Sequence, residues 1–247
     1  MEEQKKYPTE TVDLPSKGKF YPPNSPLSSG TVEMKYMTAK EEDILTNTNY
    51  IDKGITVDKL IQSLLVDKKI DYNQLLEGDK DALLIAARIL GYGKDYEFNY
   101  RGEIHNVDLT TIENKPLHEE VEKATENAFT WTAPSTEDTI TFKLLTHEDE
   151  QKIISEVNGL KKIYKDSSPE LSTRLKHTIL SVNGDSERKN VRSFVDNQFL
   201  ARDAREFRKY IKEIEPGVNL TFYPDNSPEG GVDIPIGVSF LWPDAAV

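Results

Sequence analysis

The sequence predicts an α+β protein made of two related halves, each a strand leading into capped helices and closing with a β-hairpin, with an extended N-terminal arm in front. Three observations carry that prediction. Short stretches alternate apolar and polar residues, the period of a half-buried strand, while longer ones repeat apolar residues every three to four positions, the period of an amphipathic helix. The helical stretches open at hydroxyl or acidic residues and stop at glycine or proline, as capping chemistry requires. Residues 31–45 also align without a gap on residues 139–153.

Residues 1–30 carry Pro8, Pro15, Pro22, Pro23 and Pro26 with Gly18 and Gly30 and follow neither period, so they read as an extended arm lying over the surface. Within it Leu14-Pro-Ser-Lys-Gly-Lys-Phe-Tyr21 sets a turn between Leu14 and an aromatic pair, and aromatics in a polar arm are expected to dock on a core or a partner. Val32-Glu-Met-Lys-Tyr-Met37 alternates and predicts a strand. Thr38 followed by Glu41 forms a capping-box signature ahead of Ile44 and Leu45, so the strand runs straight into a helix. Gly54 breaks the chain before a second amphipathic helix over residues 56–66, with Val57, Leu60, Ile61, Leu64 and Leu65 on one face. Asp79 is the expected cap of the most apolar helix, residues 82–90, which Gly91 and Gly93 terminate. Residues 95–99 and 104–108 flank Arg101-Gly102 as a hairpin. These elements make a first half over residues 31–115. Residues 116–138 read as a charged linker with a leading strand.

The second half, residues 139–247, repeats the plan at greater length. A strand from Thr139 meets a Thr146 cap, then helices are predicted over residues 147–164, 170–182, 191–195 and 200–214, with Pro216-Gly217 as the last stop. Strands over residues 218–223 and 232–240 close the chain around a Pro/Asn/Gly-rich loop. In the aligned segments Thr31/Thr139, Lys35/Lys143, Thr38/Thr146 and Glu42/Glu150 are identical, and both copies place an acidic residue third in the helix. Shared patterning and shared capping argue for a duplicated strand-helix unit.

Lysine and arginine number 31 against 43 aspartates and glutamates, a net charge of −12, so the molecule as a whole repels phosphate backbones. The basic stretch over residues 188–212 is interleaved with Asp196, Asp203 and Glu206 and reads as a solvated helix face rather than a nucleic-acid strip. The absence of cysteine removes disulfides, thiolate zinc sites and a thiol nucleophile. No apolar run is long enough to cross a bilayer or to serve as a secretory core, so a soluble protein acting where it is made is expected. His105, His118, His147 and His177 stand too far apart in sequence to form a helical ligand pair, and no phosphate-cradling glycine loop or nucleophile elbow occurs. Acidic clusters at 41–43, 79–81 and 148–150 sit at predicted helix starts, where capping and the helix dipole account for them. No catalytic, metal or cofactor residue is therefore assigned, and no enzyme is expected.

Leu14-Pro-Ser-Lys-Gly-Lys-Phe-Tyr21, Met37-Thr-Ala-Lys-Glu-Glu-Asp-Ile-Leu45, Leu76-Glu-Gly-Asp79, Gly91-Tyr-Gly93 and Phe240-Leu-Trp-Pro-Asp244 resemble, in this order, the baseplate hub subunit and hub-assembly family of T-even-type contractile-tailed bacteriophages. The resemblance implies a non-catalytic structural or assembly component of the central tail hub. Its partners would be other hub or tail proteins, including the tape-measure protein, with neither membrane nor nucleic acid involved. It would reside in the host cytoplasm during assembly and in the virion baseplate. Relatives can carry cysteine pairs in the two hairpin regions that look zinc-binding; here those regions hold none, and that property does not transfer. Two other roles stay open at this stage: a soluble chaperone for hub or tape-measure proteins that leaves before the virion is finished, and a nucleic-acid-binding module using residues 188–212. Phe20, Tyr21, Leu241 and Trp242 are the candidate docking anchors, either onto partners or onto the protein's own core.

Overall fold

The computed structural model describes residues 8–163, 169–224, 231–236 and 238–241 and has a mixed α+β architecture. Strand β1 (Thr9–Asp13) pairs antiparallel with β2 (Thr31–Lys35), with Asp13 opposite Thr31. The arm is therefore part of a sheet. Its strand was illegible because Val12 is the single apolar residue of the segment, and pairing is imposed by β2, which buries Val32 and Met34. The remainder of the arm does not lie loosely over the surface either, since Leu14, Ser16, Tyr21 and Leu27 are all buried.

From β2 the chain enters α1 (Ala39–Leu45), α2 (Thr48–Asp52) and α3 (Thr56–Leu64), whose Leu60, Ile61 and Leu64 face the core. Directly afterwards Leu65 bridges to Met34 and the Val66 amide donates to the Glu33 carbonyl at 3.0 Å, giving β2 a neighbour on its second edge. Helix α4 (Glu77–Tyr92) then runs through the centre with Leu83 and Ala87 fully enclosed. Arg88 is buried near its end and donates to the Gly93 and Asp95 carbonyls at 3.1 and 3.2 Å, a cation placed against the negative pole of the helix. Strands β3 (Asp95–Tyr100) and β4 (Glu103–Asp108) form the expected hairpin, with Arg101 and Gly102 both in the left-handed conformation that a two-residue turn requires.

The charged linker contains α5 (Glu119–Lys123), pinned by the fully buried Val121. Strands β5 (Phe129–Thr132) and β6 (Thr139–Phe142), helices α6 (His147–Ile163) and α7 (Glu170–Thr178), and strand β7 (Ile179–Val182) follow, in the antiparallel order β5-β6-β7. Sequence periodicity had carried the α7 helix through to 182. Instead the chain leaves the helix at Ile179, which is wholly buried opposite Phe142, and sheet pairing overrides helical continuity. Helices α8 (Arg188–Asn197) and α9 (Ala201–Ile214) lead to β8 (Thr221–Phe222) and β9 (Val232–Asp233), then to the short α10 (Val238–Leu241). The long final strand expected over 232–240 is thus cut short. Ile234 still donates to the Leu220 carbonyl at 2.8 Å, but Pro235 has no amide with which to continue the ladder.

The two halves match in geometry. Met34 and Phe142 occupy the same place in the repeat, each paired on one side with the preceding strand (Glu10, Phe129) and on the other with the segment that leaves the helices following it (Leu65 after α3, Ile179 after α7). Each strand is followed by the same ion-paired cap. Lys35 Nζ lies 2.7 Å from Glu41 Oε1, while the Thr38 amide and hydroxyl donate to Glu41 Oε2 at 3.1 and 2.6 Å. Lys143 Nζ lies 2.7 Å from both oxygens of Asp149, whose Oδ2 also takes the Thr146 amide and hydroxyl at 3.2 and 3.1 Å. Burial alone would raise the Glu41 carboxyl, but hydrogen bonds from Lys35, Thr38 and Ser63 pull it down to about 2. A carboxylate depressed on folding adds stability above its ordinary pKa of 4.5, and loses it as pH falls through about 2. Glu41→Gln is therefore expected to destabilise by about 1–2 kcal/mol at pH 7 and by little at pH 2, read from urea unfolding at both pH values.

One apolar cluster among the described residues runs from Leu14 to Leu241 and so belongs to both halves, with Leu145, Ile153 and Val157 forming a small satellite. Backbone bonds cross between the halves: the His147 amide to the Leu75 carbonyl, the Lys115 amide to the Gly217 carbonyl and the Asn219 amide to the Glu113 carbonyl, each at 2.8 Å. The two hairpins meet through Phe98 edge-on to Phe222, ring centres 5.4 Å apart, and α10 packs on the first hairpin through Phe240 edge-on to Tyr96 at 4.8 Å.

Candidate functional site

The most elaborate polar arrangement joins the first loop to the start of α4. Asp79 has no exposed surface, and every oxygen of its carboxylate is taken by the segment 16–21. The Ser16 amide donates to Oδ1 at 2.8 Å, and the Ser16 hydroxyl and Tyr21 hydroxyl donate to Oδ2 at 2.6 and 2.5 Å. Tyr21 Oη in turn accepts the Leu76 amide at 3.0 Å, one of the free amides of the α4 start. Asp79 was expected to be the helix cap. Leu76 holds that position, because the helix begins a turn earlier than the apolar run suggests, and Asp79 is the third helical residue. Burial pushes the Asp79 carboxyl up and the Ser16 and Tyr21 donors oppose it; burial and the neighbouring carboxylate together drive the Tyr21 hydroxyl well above its ordinary value, so it keeps its proton. Lys19 extends the clasp by donating to the Glu122 and Ala124 carbonyls at 2.6 and 3.2 Å, at the end of α5.

This arrangement decides where the candidate anchors go. Tyr21 is 8% exposed and Leu241 is wholly enclosed, so both are taken up by the protein's own core. Phe20, held in the left-handed conformation, is half-buried with its ring edge-on to Phe129 at 5.7 Å. Trp242 lies outside the described residues. The structure brings Phe20 and Tyr21 together in one loop and places Leu241 beside the hairpins. Sequence reasoning missed Ser16 and the tie between Asp79 and the 16–21 turn; the available signal was two hydroxyl residues, Ser16 and Tyr21, in one turn and an acid at a helix start.

The acidic clusters divide in the same way. Glu42, Asp43 and Glu148 are exposed, whereas Glu41 and Asp149 serve the two caps and Glu150 is held by the Arg174 guanidinium, Nη2 to Oε2 at 2.8 Å. Beside them Lys80 Nζ lies 3.0 Å from His147 Nδ1, His147 Nε2 lies 3.6 Å from Asp58, and Tyr72 donates to Asp58 at 2.9 Å. Burial and then the Lys80 charge hold His147 below the usual imidazole range. The group resembles acid-base machinery in its residue types, but His147 is 4% exposed and its ring stacks edge-on against Tyr72, which leaves no approach for a substrate. His177 bridges to Glu156 at 2.8 Å, His105 lies tilted against the Phe222 ring, and His118 accepts the Glu120 amide at the start of α5. Among the described residues no group of three or more acids or imidazoles is placed to hold a metal ion, and no helix is long and apolar enough to cross a membrane.

Two further surface features bear on partner binding. A groove of about 680 Å³ lies between the free edge of β1 and α4, floored by Val12, Ile85, Ala86 and Ile89 and rimmed by Glu10 and Glu113. An apolar floor with an acidic rim can receive an extended segment. The basic stretch over 188–212 is broken up on α8 and α9: Arg192 is bidentate to Glu156 at 2.6 and 2.8 Å, Lys209 pairs with Glu206 at 2.8 Å, and Arg208 donates to the Ala204 carbonyl at 3.1 Å. No protein-family model, curated protein or solved structure matches the chain.

Proposed function

We propose that this protein is a non-catalytic structural or assembly component of the central baseplate hub of a contractile phage tail. The observation that carries the reading is where the family-like segments fall. Leu14–Tyr21 and Leu76–Asp79, far apart in sequence, meet in the Ser16–Tyr21–Asp79 node, so the residues that carry the resemblance are also those that hold the fold. The acid-rimmed groove beside β1 supplies a surface for fitting against another polypeptide. Co-expression with the hub and tape-measure proteins of a contractile-tailed phage, followed by affinity purification, is expected to yield a stable complex with one of them. Recovery of the chain alone from every pairing overturns the reading. Mass spectrometry of purified virions then separates a resident hub component from a chaperone, which is absent from the finished particle.

A further inference from the structure

We infer that the cleft at the start of α9 is a docking site for a tyrosine carried on an acidic segment of a partner protein. The inference stands on the internal repeat and is independent of the tail-assembly reading, so either can fail alone. The loop after β1 begins Asp13-Leu-Pro-Ser16 and the loop after β5 begins Thr132-Ala-Pro-Ser135. Asp13 and Thr132 face Thr31 and Thr139, the first residues of the duplicated unit. Leu14 and Ala133 are both buried, and each donates its amide at 2.9 Å to the residue just before that unit, Gly30 or Asp138. Two positions on, each serine hydroxyl donates to an aspartate that is third in a helix opened by leucine. Ser16 reaches Asp79 of α4 at 2.6 Å, and Ser135 reaches Asp203 of α9 at 2.5 Å.

The copies differ in what completes the aspartate. Asp79 also takes the Tyr21 hydroxyl, because residues 14–30 are long enough to fold back over it. Residues 133–138 are too short to do so, and Asp203, 1% exposed, is left with Oδ2 lacking any hydrogen-bond partner. A buried carboxylate oxygen without a donor is costly, and an aromatic hydroxyl is the group that satisfies its counterpart. Asp203 and Ser135 line a cleft of about 680 Å³ whose rim includes Glu206, whose charge is met by Lys209 at 2.8 Å, and Arg202 and Arg205, both exposed. These long side chains can move aside to admit a ring, and their charge selects acidic residues on either side of it.

The test uses the full chain, isotope-labelled for amide NMR, and two blocked peptides, Glu-Asp-Tyr-Asp-Glu and Glu-Asp-Phe-Asp-Glu. The tyrosine peptide is expected to shift the Ser135, Arg202, Asp203 and Arg205 amides saturably and to bind about fivefold more tightly than the phenylalanine peptide, the worth of one hydrogen bond. Asp203→Asn should erase that preference. Arg202→Glu with Arg205→Glu should weaken both peptides about tenfold at an unchanged melting temperature, which keeps the test valid if the Asp203 variant does not fold. No saturable shift at millimolar peptide, equal binding of the two peptides, or stronger perturbation of the same amides by oligothymidylate would each overturn the assignment.

Discussion

Asp79→Ala is expected to lower the unfolding free energy by about 3–5 kcal/mol, measured by urea denaturation followed by circular dichroism. The size follows from what is left behind. The Ser16 amide, the Ser16 hydroxyl and the Tyr21 hydroxyl all lose their acceptor in a region closed to water, and Tyr21 loses the orientation that lets it accept the Leu76 amide. Tyr21→Phe keeps the ring and the Ser16 contacts and should cost about 1–2 kcal/mol. If the alanine variant loses no more than the phenylalanine variant, the node does not hold the loop in the way its geometry implies.

The second large effect reverses the usual sign. Glycine to alanine inside a helix ordinarily stabilises by about 1 kcal/mol, because alanine loses less backbone freedom on folding. Gly78 lies in the first turn of α4, and a Cβ there would sit 1.7 Å from the Pro216 carbonyl oxygen, with the Pro216 carbonyl carbon at 2.7 Å. Both are backbone atoms and cannot rotate away. Gly78→Ala should therefore destabilise by about 2–4 kcal/mol, since the 216–217 segment has to withdraw from the helix. Gly159, exposed in α6 with nothing near its would-be Cβ, is the control: its alanine variant should gain stability. Thermal melts of both variants beside the wild type check the pair, and a stabilised Gly78→Ala would mean that α4 does not approach Pro216 as described.

What the sequence made legible was local. The Thr38 and Thr146 caps, the apolar faces of α3 and α4 and the Arg101-Gly102 hairpin turn are written in neighbouring residues, and the alignment of 31–45 with 139–153 pointed to the duplicated unit. What escaped depends on distant residues. Strand β1 has one apolar residue and takes its conformation from β2; β7 continues a helical pattern until Phe142 claims Ile179. Asp79 looked like a cap because acids at helix starts usually are, and its true partners lie about sixty positions away in a segment without periodicity. The anchors Tyr21 and Leu241 show the same limit, since an aromatic in a polar arm or a leucine in an apolar end segment announces a contact without saying with what.

The central position of α4 has a consequence for biosynthesis. This helix is translated early, yet Pro216, which lies against its start, and Phe222, which lies against the hairpin that follows it, emerge about 120–140 residues after the positions they cover. At ribosomal speeds of about 5–20 residues per second, an apolar helix waits roughly 6–28 s for its cover. Nascent chains stalled before residue 216 should accordingly hold general chaperones, and release them once the C-terminal segment clears the exit tunnel.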